Sequence, residues 1–135
     1  MRFFDTNILV YSVDPRDLRK QKIAIQLLTH AMDVNHDGAI SVQVLSEFAN
    51  TLLSKFALSV ERTESFVSLF YPLLRTEVSA DMVHGAMFIR KEYGIQFYDA
   101  LIVAAAEKIG CHEIVSEDFN NVQIYRGMTA INPFV

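Results

Sequence analysis

Short apolar runs alternate along this chain with longer stretches of helical periodicity, and no other feature limits the fold so strongly. A run of three or four apolar residues bounded by turn formers reads as a strand, and strands separated by helical segments read as a parallel sheet joined by crossover helices. "RFF" before Asp5 is the first strand, "GAIS" the second, "TEV" a weak third and "EIVS" the fourth; "TAIN" adds a fifth. Between them, Asp17 to Met32 carries Ala24, Leu27, Leu28 and Ala31 on one helical face, and Leu45, Phe48, Leu52 and Phe56 form a second stripe. Ser59 caps a helix over about Glu61 to Tyr71 that Pro72 stops, Ser79 caps another running to Tyr93 and Gly94, and Asp99 opens "ALIVAAAEKIG", closed by Gly110. The expected class is α/β with a parallel sheet of four to five strands.

A chain of 135 residues with 51% hydrophobic composition fits a single domain, residues 1–135, able to bury a core unaided by disulfides. Only 5 Gly and 3 Pro leave little room for a linker or low-complexity arm. Cys111 has no partner for a disulfide, the opening "MRFFDTNILVY" lacks the apolar stretch of a signal peptide, and no run approaches the roughly 18 apolar residues that span a bilayer. The expectation is a cytoplasmic protein with no membrane association.

The acidic residues fall into a pattern on this map. Asp5 ends the first strand, Glu47 lies early in the helix after the second, Asp99 starts a helix and Asp118 follows the fourth strand. In open parallel sheets these positions line a common crevice beyond the carboxyl ends of the strands. Two unit charges about 4 Å apart repel by roughly 4 kcal/mol at an effective dielectric of 20, so gathered carboxylates require a cation. Ligands that are all oxygen, without Cys or His company, suit Mg²⁺ or Mn²⁺ and suggest phosphodiester hydrolysis. Each acid also has a plainer reading: Asp99 as a helix cap, Asp5 as a turn residue that starts a helix, Glu47 as a solvated helix residue, and Asp118 as a loop acid beside Glu117. Those readings do not predict all four on one topological edge.

A second metal pattern fails on inspection. Asp33, Asn35, Asp37, Gly38 and Ile40 have the spacing of a calcium-binding EF-hand loop, but its twelfth position is Val44 in place of a bidentate Glu. His30, His36, His84 and His112 are scattered, and Cys111–His112 is not a zinc spacing. The net charge of −4 runs against a nucleic-acid partner, yet Arg16, Arg19, Lys20 and Lys22 cluster near the first-strand edge, where they can hold an RNA backbone or simply form a solvated helix face.

"MRFFDTNILVY", "LSEF" at 45–48, "FYDALIVAAA" at 97–106 and "VSEDF" at 115–119 stand in the order of, and resemble, the motifs of PIN-domain nucleases, particularly VapC-type toxins of bacterial toxin–antitoxin pairs. The closing "TAINPF" is similar to that family's last strand. The resemblance implies a three-layer α/β/α sandwich around a central parallel sheet, with Asp5, Glu47, Asp99 and Asp118 as the acidic pocket. Asp5 and Asp99 would hold Mg²⁺ or Mn²⁺, Asp118 a second ion or a water, and Glu47 would orient or deprotonate the attacking water. Thr6, Asn7 and Ser116 match the small polar positions beside the first and fourth acids, where turn-making or capping is an equally good reading for Thr6 and Asn7. The implied function is a metal-dependent endoribonuclease acting on RNA, as a homodimer held inactive by a cognate antitoxin. A non-catalytic signalling or binding domain on a doubly wound sheet, such as a phospho-acceptor receiver, is the competing reading; a receiver's lysine after the last core strand is missing from "SEDFNNVQ", and no second acid adjoins Asp5.

Overall fold

The computed structural model describes residues 1–135. The elements in chain order are β1 (Arg2–Phe4), α1 (Thr6–Val13), α2 (Leu18–Thr29), β2 (Gly38–Ser41), α3 (Val42–Ser54), α4 (Val60–Leu69), β3 (Leu74–Thr76), α5 (Ala80–Tyr93), α6 (Phe97–Lys108), β4 (Glu113–Val115), β5 (Ile124–Tyr125) and β6 (Met128–Ile131). The six strands form one sheet in the order β3-β2-β1-β4-β6-β5. β1 pairs in parallel with both β2 and β4, β2 with β3, and β4 with β6, while β5 runs antiparallel to β6. The chain steps outward from β1 to β3 through α1–α2 and α3–α4, then returns past β1 to β4 through α5–α6. Right-handed crossovers therefore put the first four helices on one face and the last two on the other. The result is an α/β sandwich, and the step between β1 and β4 is the switch point where such sheets open a crevice.

Local chemistry accounts for most element starts. Asp17, Ser41, Ser59 and Ser79 each cap a helix by accepting a hydrogen bond from the backbone N–H three residues on. Gly94, at φ 68°, ends α5 in the left-handed conformation that costs a residue with a side chain most. Phe3, Phe4, Ile40, Ile114 and Val115 are fully buried from the strands, and Phe48 meets Phe70 edge-on at 5.3 Å. Every residue of α6 from Ala100 to Ala106 is buried, because this helix lies between α5 and the sheet, and its alanines allow the close approach. No helix is long and apolar enough to cross a membrane.

Several expectations need correction. The sheet is mixed and has six strands, since β5 adds an antiparallel edge. The third strand lies at Leu74–Thr76, earlier than "TEV", where an irregularity at Ile40/Ser41 shifts its register against β2. The helix expected through Met32 loses α geometry after Thr29 and continues as a π turn over His30–Val34, closed by Asn35 N–H donating to the His30 carbonyl. α4 stops at Leu69, and Pro72 sits in a separate short 3₁₀ turn. α6 begins at Phe97, so Asp99 is a first-turn residue and not the cap. The EF-hand-like stretch has a packing explanation: a Cβ on Gly38 would lie 2.6 Å from Leu73 Cδ2 and 2.9 Å from Ala31 Cβ, and Val44 is wholly buried.

Candidate metal centre

Asp5 leaves β1 at its carboxyl end and Ser116–Asp118 leave the adjacent β4 at the same end, because Phe4 and Val115 are register partners. Asp5 N–H donates to the Val115 carbonyl, extending the ladder one step and fixing where its side chain begins. Asp5 then caps α1, accepting from Thr6 N–H at 2.7 Å. Its other oxygen accepts from Ser116 Oγ at 2.7 Å. Ser116 is buried and does more: its hydroxyl oxygen accepts from the Asp118 N–H at 3.0 Å and from Asn7 Nδ2 at 3.1 Å. Asn7 Nδ2 also reaches Asp118 Oδ2 at 3.1 Å, and Asn7 Oδ1 accepts from the Glu117 N–H. One serine and one asparagine thus hold the first and fourth acids in a common frame.

The opposite wall is built from α3 and α6. Thr6 Oγ1 donates to Glu47 Oε2 at 2.7 Å, and Gln43 Nε2 donates to Glu47 Oε1 at 2.9 Å and to the Tyr98 carbonyl at 3.2 Å. Gln43 thereby ties the general-base candidate to the turn that carries Asp99. Sequence reasoning passes over Gln43; its position four residues before Glu47, one helical turn away, is the available signal. Oxygens of Asp5, Asp99 and Asp118 lie within 4.8 Å of one another. Glu47 stands beside this set, close enough for its charge to act on Asp99.

No ion pair of the chain reaches any of these four acids. The acidity of Asp5 and Asp99 reflects this setting. Burial pushes the Asp5 carboxyl up to about 7 against the pull of its Ser116 and Thr6 hydrogen bonds, with the Asp118 and Asp99 charges adding to the rise. Asp99 is pushed up to about 6 by burial, then by the charges of Asp118 and Glu47. Three converging carboxylates, oxygen donors only and with no cation of the protein among them, fit a hard divalent ion, which would favour the ionised forms of Asp5 and Asp99. The largest cavity, about 650 Å³ among Arg2, Ile23 and His30, gathers no carboxylate and offers no comparable chemistry.

The remaining expected site residues are placed as follows. Arg16 Nε and Nη2 each donate to Asp14 at 2.9 Å, and Arg19 Nη2 donates to the Phe134 carbonyl at 2.8 Å. Glu117 turns away from the pocket to pair with Lys20 Nζ at 2.8 Å and to accept from the Tyr11 hydroxyl.

A family model described as "PIN domain" matches residues 2–126. No curated protein matches at a significant level. Among solved structures, a toxin–antitoxin complex from Klebsiella pneumoniae superposes with a TM-score of 0.68 at 21% identity, covering 98% of each chain. VapC20 of Mycobacterium tuberculosis, described as a sarcin–ricin loop cleaving toxin, gives 0.63 at 20% identity over 84% of this chain and 87% of that one. VapBC2 of Rickettsia felis, bound to a DNA fragment from its promoter, gives 0.63 at 21% identity over 96% of each. These likenesses establish a shared fold, and with the family match spanning nearly all of the sequence, the chain belongs to the PIN domain family.

Proposed function

We propose that this chain, as a single domain over residues 1–135, is a metal-dependent endoribonuclease of the VapC type, the toxin of a toxin–antitoxin pair. The observation that carries the reading is the convergence of Asp5, Asp99 and Asp118 within 4.8 Å without any cation of the protein to neutralise them. Family membership and the folds of the toxin–antitoxin neighbours support it. The reading includes an RNA substrate, a cognate antitoxin, a homodimer and a cytoplasmic location.

Asp5, Asp99 and Asp118 would hold Mg²⁺ or Mn²⁺, which supplies electrostatic stabilisation of the charge that develops on the phosphoryl oxygens. Glu47, anchored through both oxygens by Thr6 and Gln43, orients a water and accepts its proton at a carboxylate oxygen. Ser116 and Asn7 hold Asp5 and Asp118 in register, and Thr6 holds Glu47, so these small polar groups act on the substrate through the acids they position. Arg16, which lines the cleft shared with Thr6, Asn7 and Asp118, would add positive charge at the approach to the site, and Arg19, three residues on, belongs to the same basic cluster.

Sequencing RNA ends after expression of wild type and Asp99→Asn tests activity and substrate together. New 5′ ends in the wild type alone are expected. Growth arrest by the wild type and tolerance of Asp5→Ala is the matching phenotype; harmless expression of both with no cut RNA would leave the non-catalytic binding domain as the better reading.

A further inference from the structure

Gln43 is the one polar residue among the four that α3 buries; the others, Val44, Phe48 and Leu52, are wholly enclosed. That helical face calls for an apolar side chain at position 43, and the chain supplies an amide that is only 9% exposed.

The amide is half satisfied. Its Nε2 donates to Glu47 Oε1 at 2.9 Å and to the Tyr98 carbonyl at 3.2 Å, which uses both of its hydrogens, whereas its Oε1 is buried and meets no donor of the chain. Turning the amide over gives no relief, because the oxygen would then face a carboxylate and a carbonyl. A buried acceptor without a donor costs stability, and a half-satisfied polar group is worse in a core than an apolar side chain of the same shape. Asp37 Oδ1 and Thr63 Oγ1 are in the same state, but Asp37 precedes β2 at the sheet end opposite the acids and Thr63 belongs to α4. Of the three, Gln43 alone bonds to one of the four acids.

Its two bonds fall where the chemistry needs fixing. Gln43 holds Glu47 Oε1 while Thr6 holds Oε2, so the plane of the carboxylate is set from both sides. The Tyr98 carbonyl belongs to the peptide that leads into Asp99, so the same nitrogen sets where the Asp99 side chain begins.

We propose that Gln43 is a positioning residue of the nuclease, fixing the separation of Glu47 from the Asp99 peptide, and that it occupies its core position at a net cost to the stability of the fold. The assignment rests on the nuclease reading and adds to it a residue that touches neither ion nor substrate. Proteins break a local rule where function requires it, and stability is what they give up.

Gln43→Met tests both halves, because it keeps the length and nearly the volume of the side chain while removing its donors and its unpaired oxygen. Thermal melts of the purified variant in chelator should give a midpoint equal to or above that of wild type. Cleavage of an RNA that the wild type cuts, at saturating Mn²⁺, should show kcat lowered by about 10- to 100-fold with KM within about twofold. A midpoint below wild type, whatever the activity, would make Gln43 an ordinary structural residue and overturn the proposal. A held midpoint with wild-type kcat, or with a rise in KM alone, would do the same. Wild type that cuts no RNA would overturn the nuclease reading itself and the proposal with it, an outcome seen before any variant is made.

Discussion

Glu117 and Asp118 are neighbours in the chain and opposites in their surroundings. Glu117 has its own cation and a phenol: Lys20 pairs with it at 2.8 Å, and the same ammonium lies 4.6 Å from the Tyr11 ring centroid and 5.3 Å from that of Phe134. Asp118 has only an amide from Asn7 and faces Asp5 and Asp99. The first carboxylate is electrically complete within the protein; the second belongs to a group that is not. Proximity in sequence says nothing about which of two acids does chemistry, and the presence or absence of a resident counter-charge says a great deal.

The sharpest way to break this contrast is to remove charge on each side of it. Asp5→Asn and Asp99→Asn are expected to lower metal-dependent RNA cleavage by about 10³-fold, the scale of losing a central electrostatic element, while retaining the native circular dichroism spectrum. Cleavage of wild-type rate by either purified variant would remove that residue from the centre.

The same contrast predicts an unusual pH response. A group whose folded pKa is raised stabilises the fold below its unfolded value and loses that contribution as pH rises through the folded value. With Asp5 moved from 3.8 to about 7 and Asp99 to about 6, the metal-free protein should lose stability between about pH 4 and pH 7, by a few kcal/mol in order of magnitude. Thermal melts in chelator should show a falling midpoint across that window, Asp5→Asn should flatten it, and Mn²⁺ should restore the midpoint at the upper end. A melt that is flat in chelator would show that the carboxylates find another counter-charge.

A smaller effect belongs to the frame. Asn7→Ala removes the amide that spans Ser116 and Asp118, and metal affinity measured by calorimetry should weaken by about 10- to 100-fold. Unaltered affinity would reduce Asn7 to a turn residue. The least effect is expected at Glu117→Gln, which neutralises an acid beside the centre. About 1 kcal/mol of stability or less should go with the partly exposed Lys20 pair, and cleavage should stay near wild type. A loss of cleavage there as large as at Asp99 would erase the distinction between the two neighbours.

Asp5, Glu47 and Asp118 are legible in the sequence because each follows a strand or sits early in the helix after one, and strand ends are marked by short apolar runs such as "RFF" and "EIV". Asp99 is found for a partly mistaken reason: it is not the cap, and its place in the first turn of α6 follows from a helix that begins two residues earlier. β5 is illegible because it is two residues long and its hairpin turns on Arg126 and Gly127, both at positive φ, where an Asn-Gly pair would have announced it. The third strand is displaced by a local irregularity that only pairing reveals. Gln43 escapes notice because its value lies in reaching the Tyr98 carbonyl, 55 residues away, a contact that no local pattern encodes.

That glutamine has a mechanical meaning. Gln43 fastens Glu47 to the α6 side, Ser116 and Asn7 fasten Asp5 to Asp118, and the Thr6 hydroxyl is the link between the two assemblies. The pocket is thus two hydrogen-bonded halves joined by a single hydroxyl. In the proposed nuclease, ions of differing radius would be accommodated by a small change in the spacing of the halves, with the hydrogen bonds inside each half kept.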